Sequence, residues 1–226
     1  MDVLDHIFAE EAKSKRKRAY EKQIQMSGFL IKNTLDDFGF SFQPSIDKRQ
    51  IDELATMCFL ENEENVVSLG PPGVGKTHLA SALGLVAAQR RFSTYYANCH
   101  QLIEQLKKAY FANRLPDKLR VLSNYKMLII DEIGCLPMDI QGANLFFRFI
   151  TKRYEKTSAA FTANKTFSRR NEVLANVTIA FVVLERVLHH CTVINSKGES
   201  CRLKERKEFM RQKHQIVNTL FEQGSN

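Results

Sequence analysis

Gly70-Pro71-Pro72-Gly73-Val74-Gly75-Lys76-Thr77 is a complete G-x-x-x-x-G-K-T stretch, and its surroundings decide the fold. Val66, Val67 and Leu69 precede it as a short apolar run, and an alanine- and leucine-rich segment from His78 to Ala88 follows. Strand, glycine turn and helix in that order make a phosphate-binding loop. Glycines let successive N–H groups curl inward toward phosphate oxygens. The helix that starts there adds the positive end of its dipole. Gly70, Pro71, Pro72, Gly73, Val74, Gly75, Lys76, Thr77 and His78 are therefore the candidate residues for holding ATP. Lys76 is expected to face solvent until it meets the β- and γ-phosphates, and the Thr77 hydroxyl to join a Mg²⁺ shell.

Composition narrows the partners. The 226 residues suit one α/β domain with an appendage, and a hydrophobic fraction of 44% supports a real core. A formal charge of +8 and a pI near 9.3 favour polyanions, nucleic acid first. No apolar run approaches the roughly 18 residues of a spanning helix, and the start has no signal-peptide core, so a cytoplasmic, membrane-free protein is expected. Five cysteines without a C-x-x-C pair argue against a disulfide framework, and Cys191 and Cys201 have the wrong spacing to join His189 and His190 around a metal.

Strands alternate with helices along the chain. Thr94–Ala97, Met127–Ile130, Ala159–Thr162 and Cys191–Ile194 read as strands, and 102–109, 143–154 and 173–190 as helical. That alternation predicts a parallel sheet covered by helices on both faces. Residues 1–33 read as a helical basic extension, with Lys13, Lys15, Arg16, Lys17 and Arg18 clustered, and residues 34–215 as the ATP-binding domain ahead of a 216–226 tail. A single helical pattern spans Ile46 to Leu60, with Ile51, Leu54, Ala55 and Cys58 on one face. Phe38, Phe40 and Phe42 sit in an ordered loop or short strand, where core packing is favoured over stacking on the base. The segment from Arg202 onward reads as a basic helix.

Asp131 and Glu132 close the strand Leu128-Ile129-Ile130. An acidic pair after a strand is often a helix cap. Downstream of a phosphate loop, at the end of four apolar residues, it is the second half of a hydrolytic site. Asp131 is the candidate Mg²⁺ ligand with Thr77, through a water of the metal's shell. Glu132 is the candidate base that polarises the attacking water.

GPPGVGKTHLA, LIIDEIGCLPMD, GANLFF, RYE, LERVLHH and GESCRLKE, in this order, closely resemble the IstB-type helper ATPases of bacterial insertion sequences, relatives of the DnaC helicase loader in the AAA+ group. The resemblance runs from about Thr34 to the basic tail. It implies an α/β P-loop fold of the AAA+ type and Asn164 as the sensor that positions the attacking water. It also implies that Arg186 is the arginine offered to a neighbouring subunit's nucleotide, and that Arg202 is a second sensor. It further implies ATP hydrolysis, assembly as a homo-oligomer on double-stranded DNA, and delivery of that DNA to a transposase. Relative to the family, the start reads as shortened, Arg170 replaces a usual Trp, Cys201 a usual Tyr, and Leu184-Glu185-Arg186 a usual Leu-Asp-Arg. The alternatives are a DnaC-like replicative helicase loader, a degenerate DNA-binding scaffold that does not hydrolyse ATP, and a small-molecule kinase.

Overall fold

In a computed structural model, five strands, β1 (Asn65–Leu69), β2 (Thr94–Asn98), β3 (Met127–Ile133), β4 (Ser158–Ala163) and β5 (Cys191–Asn195), form one sheet in the order β2-β3-β4-β1-β5. Every neighbouring pair is parallel. The residues described are 27–29, 33–134, 138–164, 177–198 and 200, with isolated positions outside those ranges. Parallel strands need crossovers, and these carry α3 (Lys76–Gln89), α4 (Cys99–Phe111), α5 (Leu115–Ser123), α6 (Ile140–Arg153) and α7 (Val177–Leu188). Before β1 come two short helices, α1 (Lys48–Leu54) and α2 (Cys58–Glu61).

The sheet is covered on both faces, which explains its unbroken apolar strands. Met127, Leu128, Ile129 and Ile130 are fully buried, and such burial stabilises by about 1.5–3 kcal/mol for each side chain. On one face Leu102, Leu106, Leu119, Phe146, Phe149 and Val187 pack against Leu128 and Ile130. On the other, Ile51, Met57, Leu60, Leu79 and Leu83 pack against Val66, Met127 and Ile129. The helix α3 is buried nearly all round, from Leu79 to Ala88, so it is rich in alanine and leucine rather than amphipathic.

Buried Arg153 ties the layers together. Its guanidinium donates to the carbonyls of Leu122, Tyr125 and Ser158 at 2.8, 3.0 and 2.8 Å, joining the end of α5 to the start of β4. Burial pushes its pKa down to about 10, which leaves it charged at neutral pH.

Three sequence expectations are corrected here. The pattern from Ile46 to Leu60 is two helices, because Met57 takes a left-handed conformation (φ 67°). That break resets the register, so Phe59 and Leu60 are buried and Cys58 is exposed. Of the ordered loop or short strand expected around Phe38–Phe42, the strand is not formed: Phe40–Phe42 make a 3₁₀ turn. Leu115–Ser123 is a helix where no element was expected: Leu115, Leu119 and Leu122 recur at helical spacing on its buried side. Within the N-terminal segment the described positions from Phe8 to Ile24, including Arg18, are helical and Ser27 and Gly28 form a turn, whereas Lys13, Lys15, Arg16 and Lys17 lie outside the described residues. Most of the basic tail, Arg202 included, also lies outside them. Among the described residues no helix is long and apolar enough to cross a membrane.

Candidate nucleotide-binding site

Because all five strands run the same way, their carboxyl ends share one edge, where ligands bind in open α/β sheets. The glycine loop leaves β1 there, between β4 and β5. Gly73 and Gly75 have φ of 81° and 89°, which side-chain-bearing residues rarely adopt. A Cβ on Gly75 would lie 2.6 Å from Cε2 of Phe38, and one on Gly73 would lie 2.1 Å from the Ser200 hydroxyl. The loop is thus held between the Phe38 segment and the strap that follows β5. Backbone bonds complete the clamp: Ser196 N donates to Leu69 O at 2.7 Å, and Cys201 N to Gly73 O at 2.8 Å.

Beside the loop lies a cleft of about 470 Å³, within the size range of small-molecule sites. Pro72, Gly73, Gly75, Lys76, Thr77 and His78 line it from the loop, and Glu132, Thr162 and Asn164 from the ends of β3 and β4. Phe38, Phe42, Tyr96 and Cys201 also stand in its wall. Phe38 is buried and packs edge-on against Phe40 and His78, as core packing requires. Phe42, which also lines the cleft, is 41% exposed. The His78 imidazole is turned to the Thr34 carbonyl, 2.8 Å from Nε2, which joins α3 to the segment before α1.

Lys76 is not solvent-facing. It is 5% exposed, and its ammonium donates to the Pro71 carbonyl at 2.7 Å. The reason is local: an ammonium inside a loop of inward-curled backbone finds a carbonyl of that loop, and its stem covers the start of α3.

The acidic pair is wired to the loop. Asp131, 4% exposed, accepts from the Thr77 hydroxyl at 3.0 Å through Oδ1 and from the Tyr96 phenol at 2.7 Å through Oδ2. The Thr162 hydroxyl also donates to Oδ1. Burial, then the bond to Asp131, raise the Tyr96 pKa, so the phenol remains a donor. A carboxylate and a hydroxyl 3.0 Å apart fit a hard cation such as Mg²⁺, which takes oxygen ligands and keeps most of its waters.

At Glu132 the ladder between β3 and β4 is broken by a register shift between Ile130 and Ile133. Glu132 has φ 62°, and its N–H donates to the Thr162 side-chain hydroxyl at 2.9 Å instead of to a backbone carbonyl of β4. A bulge of this kind re-aims a side chain, and here Glu132 lines the cleft. Its Oε2 accepts from Asn98 Nδ2 at 2.6 Å. The Asn98 amide cannot turn over freely, since its Oδ1 accepts from His100 N at 3.0 Å and caps α4.

Sequence reasoning named Lys76, Thr77, Asp131, Glu132 and Asn164 as candidates, and the fold brings these five to one cleft. It missed Tyr96, Asn98 and Thr162. Asn98 and Thr162 were signalled only by a polar residue near the end of a strand, and Tyr96, in the middle of β2, by nothing in its neighbours. Arg186 does not join the cleft. It lies over the rings of Phe147 and Tyr154, at 4.9 and 5.8 Å, and donates to the Thr151 hydroxyl. The carbonyl of adjoining Val187 accepts from Asn65 Nδ2 at 3.2 Å, at the beginning of β1 and so at the opposite edge of the sheet.

Comparison with known proteins agrees with this geometry. The family described as “IstB-like ATP binding protein” matches residues 1–209. A protein of insertion sequence IS232 from Bacillus thuringiensis subsp. berliner, named for ATP binding, is 48% identical over 182 residues, covering 80% of this chain and 73% of its own. The corresponding protein of insertion sequence IS21 from Pseudomonas aeruginosa is 44% identical over 199 residues, covering 88% and 75%. Among solved structures, the DnaC helicase loader has the same fold, with a TM-score of 0.53 at 23% identity, covering 66% of this chain and 87% of its own.

Proposed function

We propose, from the premise that this chain belongs to the IstB-like ATP-binding proteins, that it is a DNA-dependent ATPase serving transposition. It assembles on duplex DNA in the cytoplasm and presents that DNA to a transposase. The observation that carries the catalytic part is the bond from Thr77 to Asp131, next to a Glu132 turned into the same cleft. Those are the components that phosphoryl transfer to water requires, gathered at one sheet edge.

In this reading the glycine-loop N–H groups and Lys76 cradle the phosphates, the ammonium leaving the Pro71 carbonyl for the β- and γ-oxygens. Thr77 and Asp131 hold Mg²⁺, which neutralises phosphate charge when bound. Glu132 takes a proton from the attacking water, and Asn164, at the end of β4, orients that water. Asn98 restrains Glu132 between turnovers, because a carboxylate bonded to an amide that is itself fixed by the α4 cap is less mobile. Arg186 acts on the nucleotide of a neighbouring copy, a reading supported by its position away from its own cleft.

The partner assignment is supported by relatives named for insertion sequences, and DNA by the net charge of +8. The test is steady-state ATP turnover with and without duplex DNA, in the wild type and in Glu132→Gln, together with ATP-dependent sedimentation on DNA. Turnover that DNA raises and Glu132→Gln abolishes is the expected result. Identical, DNA-insensitive rates in the two proteins would leave only a nucleotide-bound scaffold. Capture of a replicative helicase in place of a transposase would move the protein to the loaders.

A further inference from the structure

Far from the cleft, at the amino-terminal edge of the sheet, the turn after α6 meets the turn after α7. There Glu155, His189 and His190 each offer a ligand atom within 4.8 Å of the other two, and all three are exposed. The sequence had set the histidines against Cys191 and Cys201, whose spacing fails. The fold separates Cys201 to the glycine loop and supplies Glu155 instead.

The cluster is held by backbone that cannot easily drift. Glu155 has a left-handed φ of 52°, uncommon for a side chain of its kind, in a turn closed by Lys156 N donating to Arg153 O at 3.1 Å. The His190 carbonyl accepts from Asn65 N at 2.8 Å, anchoring it to the start of β1. The two imidazole centroids are 4.1 Å apart. His189 Nδ1 lies 3.7 Å from Glu155 Oε1 and 2.9 Å from the Tyr154 hydroxyl, which orients the ring.

We infer that Glu155, His189 and His190 form a binding site for a zinc-class divalent ion. Two imidazoles and one carboxylate suit zinc in preference to Mg²⁺ or Ca²⁺, which favour all-oxygen shells. Tetrahedral bonding at zinc–ligand distances near 2.0–2.1 Å needs ligand atoms roughly 3.4 Å apart, and exposed side chains reach that by small rotamer adjustments. Water or a group from a second copy completes the fourth position. The site adjoins Arg186 through the shared Tyr154 ring, 5.8 Å from the guanidinium, but its metal affinity does not depend on what Arg186 does.

The test uses the untagged full chain, freed of metal and without nucleotide, titrated with zinc against a chromophoric chelator. One equivalent is expected to bind. His190→Asn and Glu155→Gln, each checked for an unchanged melt, are expected to weaken it by more than the roughly 10–100-fold that losing an outer-shell partner costs. Cobalt(II) in the site should give the strong visible bands of four-coordination. No stoichiometric binding leaves only a solvated histidine–glutamate pair and overturns the proposal. So does binding that survives both substitutions, which would belong to a thiol such as exposed Cys58.

Discussion

The Thr77 hydroxyl donates to Asp131 Oδ1 at 3.0 Å, fastening the first turn of α3 to the end of β3. Tyr96 and Thr162 donate to the same buried carboxylate from the flanking strands. Asp131 therefore serves two ends, the sheet edge and the candidate metal site. Asp131→Asn puts an amide donor among three hydroxyl donors, and is expected to cost about 1.5–3 kcal/mol of stability, as bonds to charged groups do. It should also remove the Mg²⁺ dependence of ATP binding. Denaturant titration and Mg²⁺ titration of nucleotide affinity separate the two effects. A variant with wild-type stability and wild-type Mg²⁺ response would show that this carboxylate has neither role.

Tyr96 gives a pH signature. Its raised pKa in the folded state means that its contribution to stability is complete below the unfolded value of about 10 and is lost as pH climbs beyond it. Unfolding free energy measured between pH 8 and 11 should thus fall less steeply in Tyr96→Phe than in the wild type. Parallel curves for the two proteins would mean that the phenol is not held by Asp131 in solution.

Lys76→Met keeps most of the stem that packs at the start of α3 and deletes the ammonium. Losing charge-assisted bonds of about 1.5–3 kcal/mol predicts roughly a ten- to hundredfold drop in ATP affinity, with the fold retained. Calorimetry with ATP and Mg²⁺ reads the affinity and a thermal melt reads the fold. Unchanged affinity would show that the ammonium stays on the Pro71 carbonyl and never meets phosphate.

Arg153 predicts a purely structural effect. Arg153→Met leaves the carbonyls of Leu122, Tyr125 and Ser158 without their shared donor. At roughly 1–3 kcal/mol for each buried group left unpaired, the loss should exceed about 3 kcal/mol and show as a large fall in melting temperature. A melt close to wild type would mean that water replaces the guanidinium.

What the sequence could reveal divides along a physical line. Lys76, Thr77, Asp131 and Glu132 were legible because their chemistry is set by neighbours in the chain: a glycine turn before a helix, an acidic pair after an apolar strand. Asn98 and Tyr96 were not, since their partners are fixed by strand register. Asn98 pairs with Asp131 across β2 and β3, and only that alignment brings its amide to Glu132. The helix from Leu115 was missed because it spans only nine residues and has no side-chain cap at its start. The burial of Lys76 was unreadable for another reason: it depends on a carbonyl five residues back that turns inward only when the loop is folded.

Arg186 tests whether the working unit is larger than one chain. Its neighbour Val187 is bonded to Asn65 at the start of β1, whereas the glycine loop begins beyond Leu69 at the strand's far end. Five residues of strand span roughly 16 Å, more than the side chain can cover while stacked on Phe147 and Tyr154. Arg186→Ala should therefore leave ATP affinity of the dilute protein within about twofold. It should lower DNA-stimulated turnover by at least about a hundredfold, against the 10³–10⁵ that arginine fingers supply elsewhere. Mixing inactive Arg186→Ala with inactive Glu132→Gln is the decisive measurement. Mixed assemblies contain interfaces where an intact Glu132 faces an intact Arg186, so activity should return and peak near equal proportions. Flat, inactive mixtures, with a lowered melt for Arg186→Ala alone, would make this arginine a packing residue between α6 and α7 and nothing more.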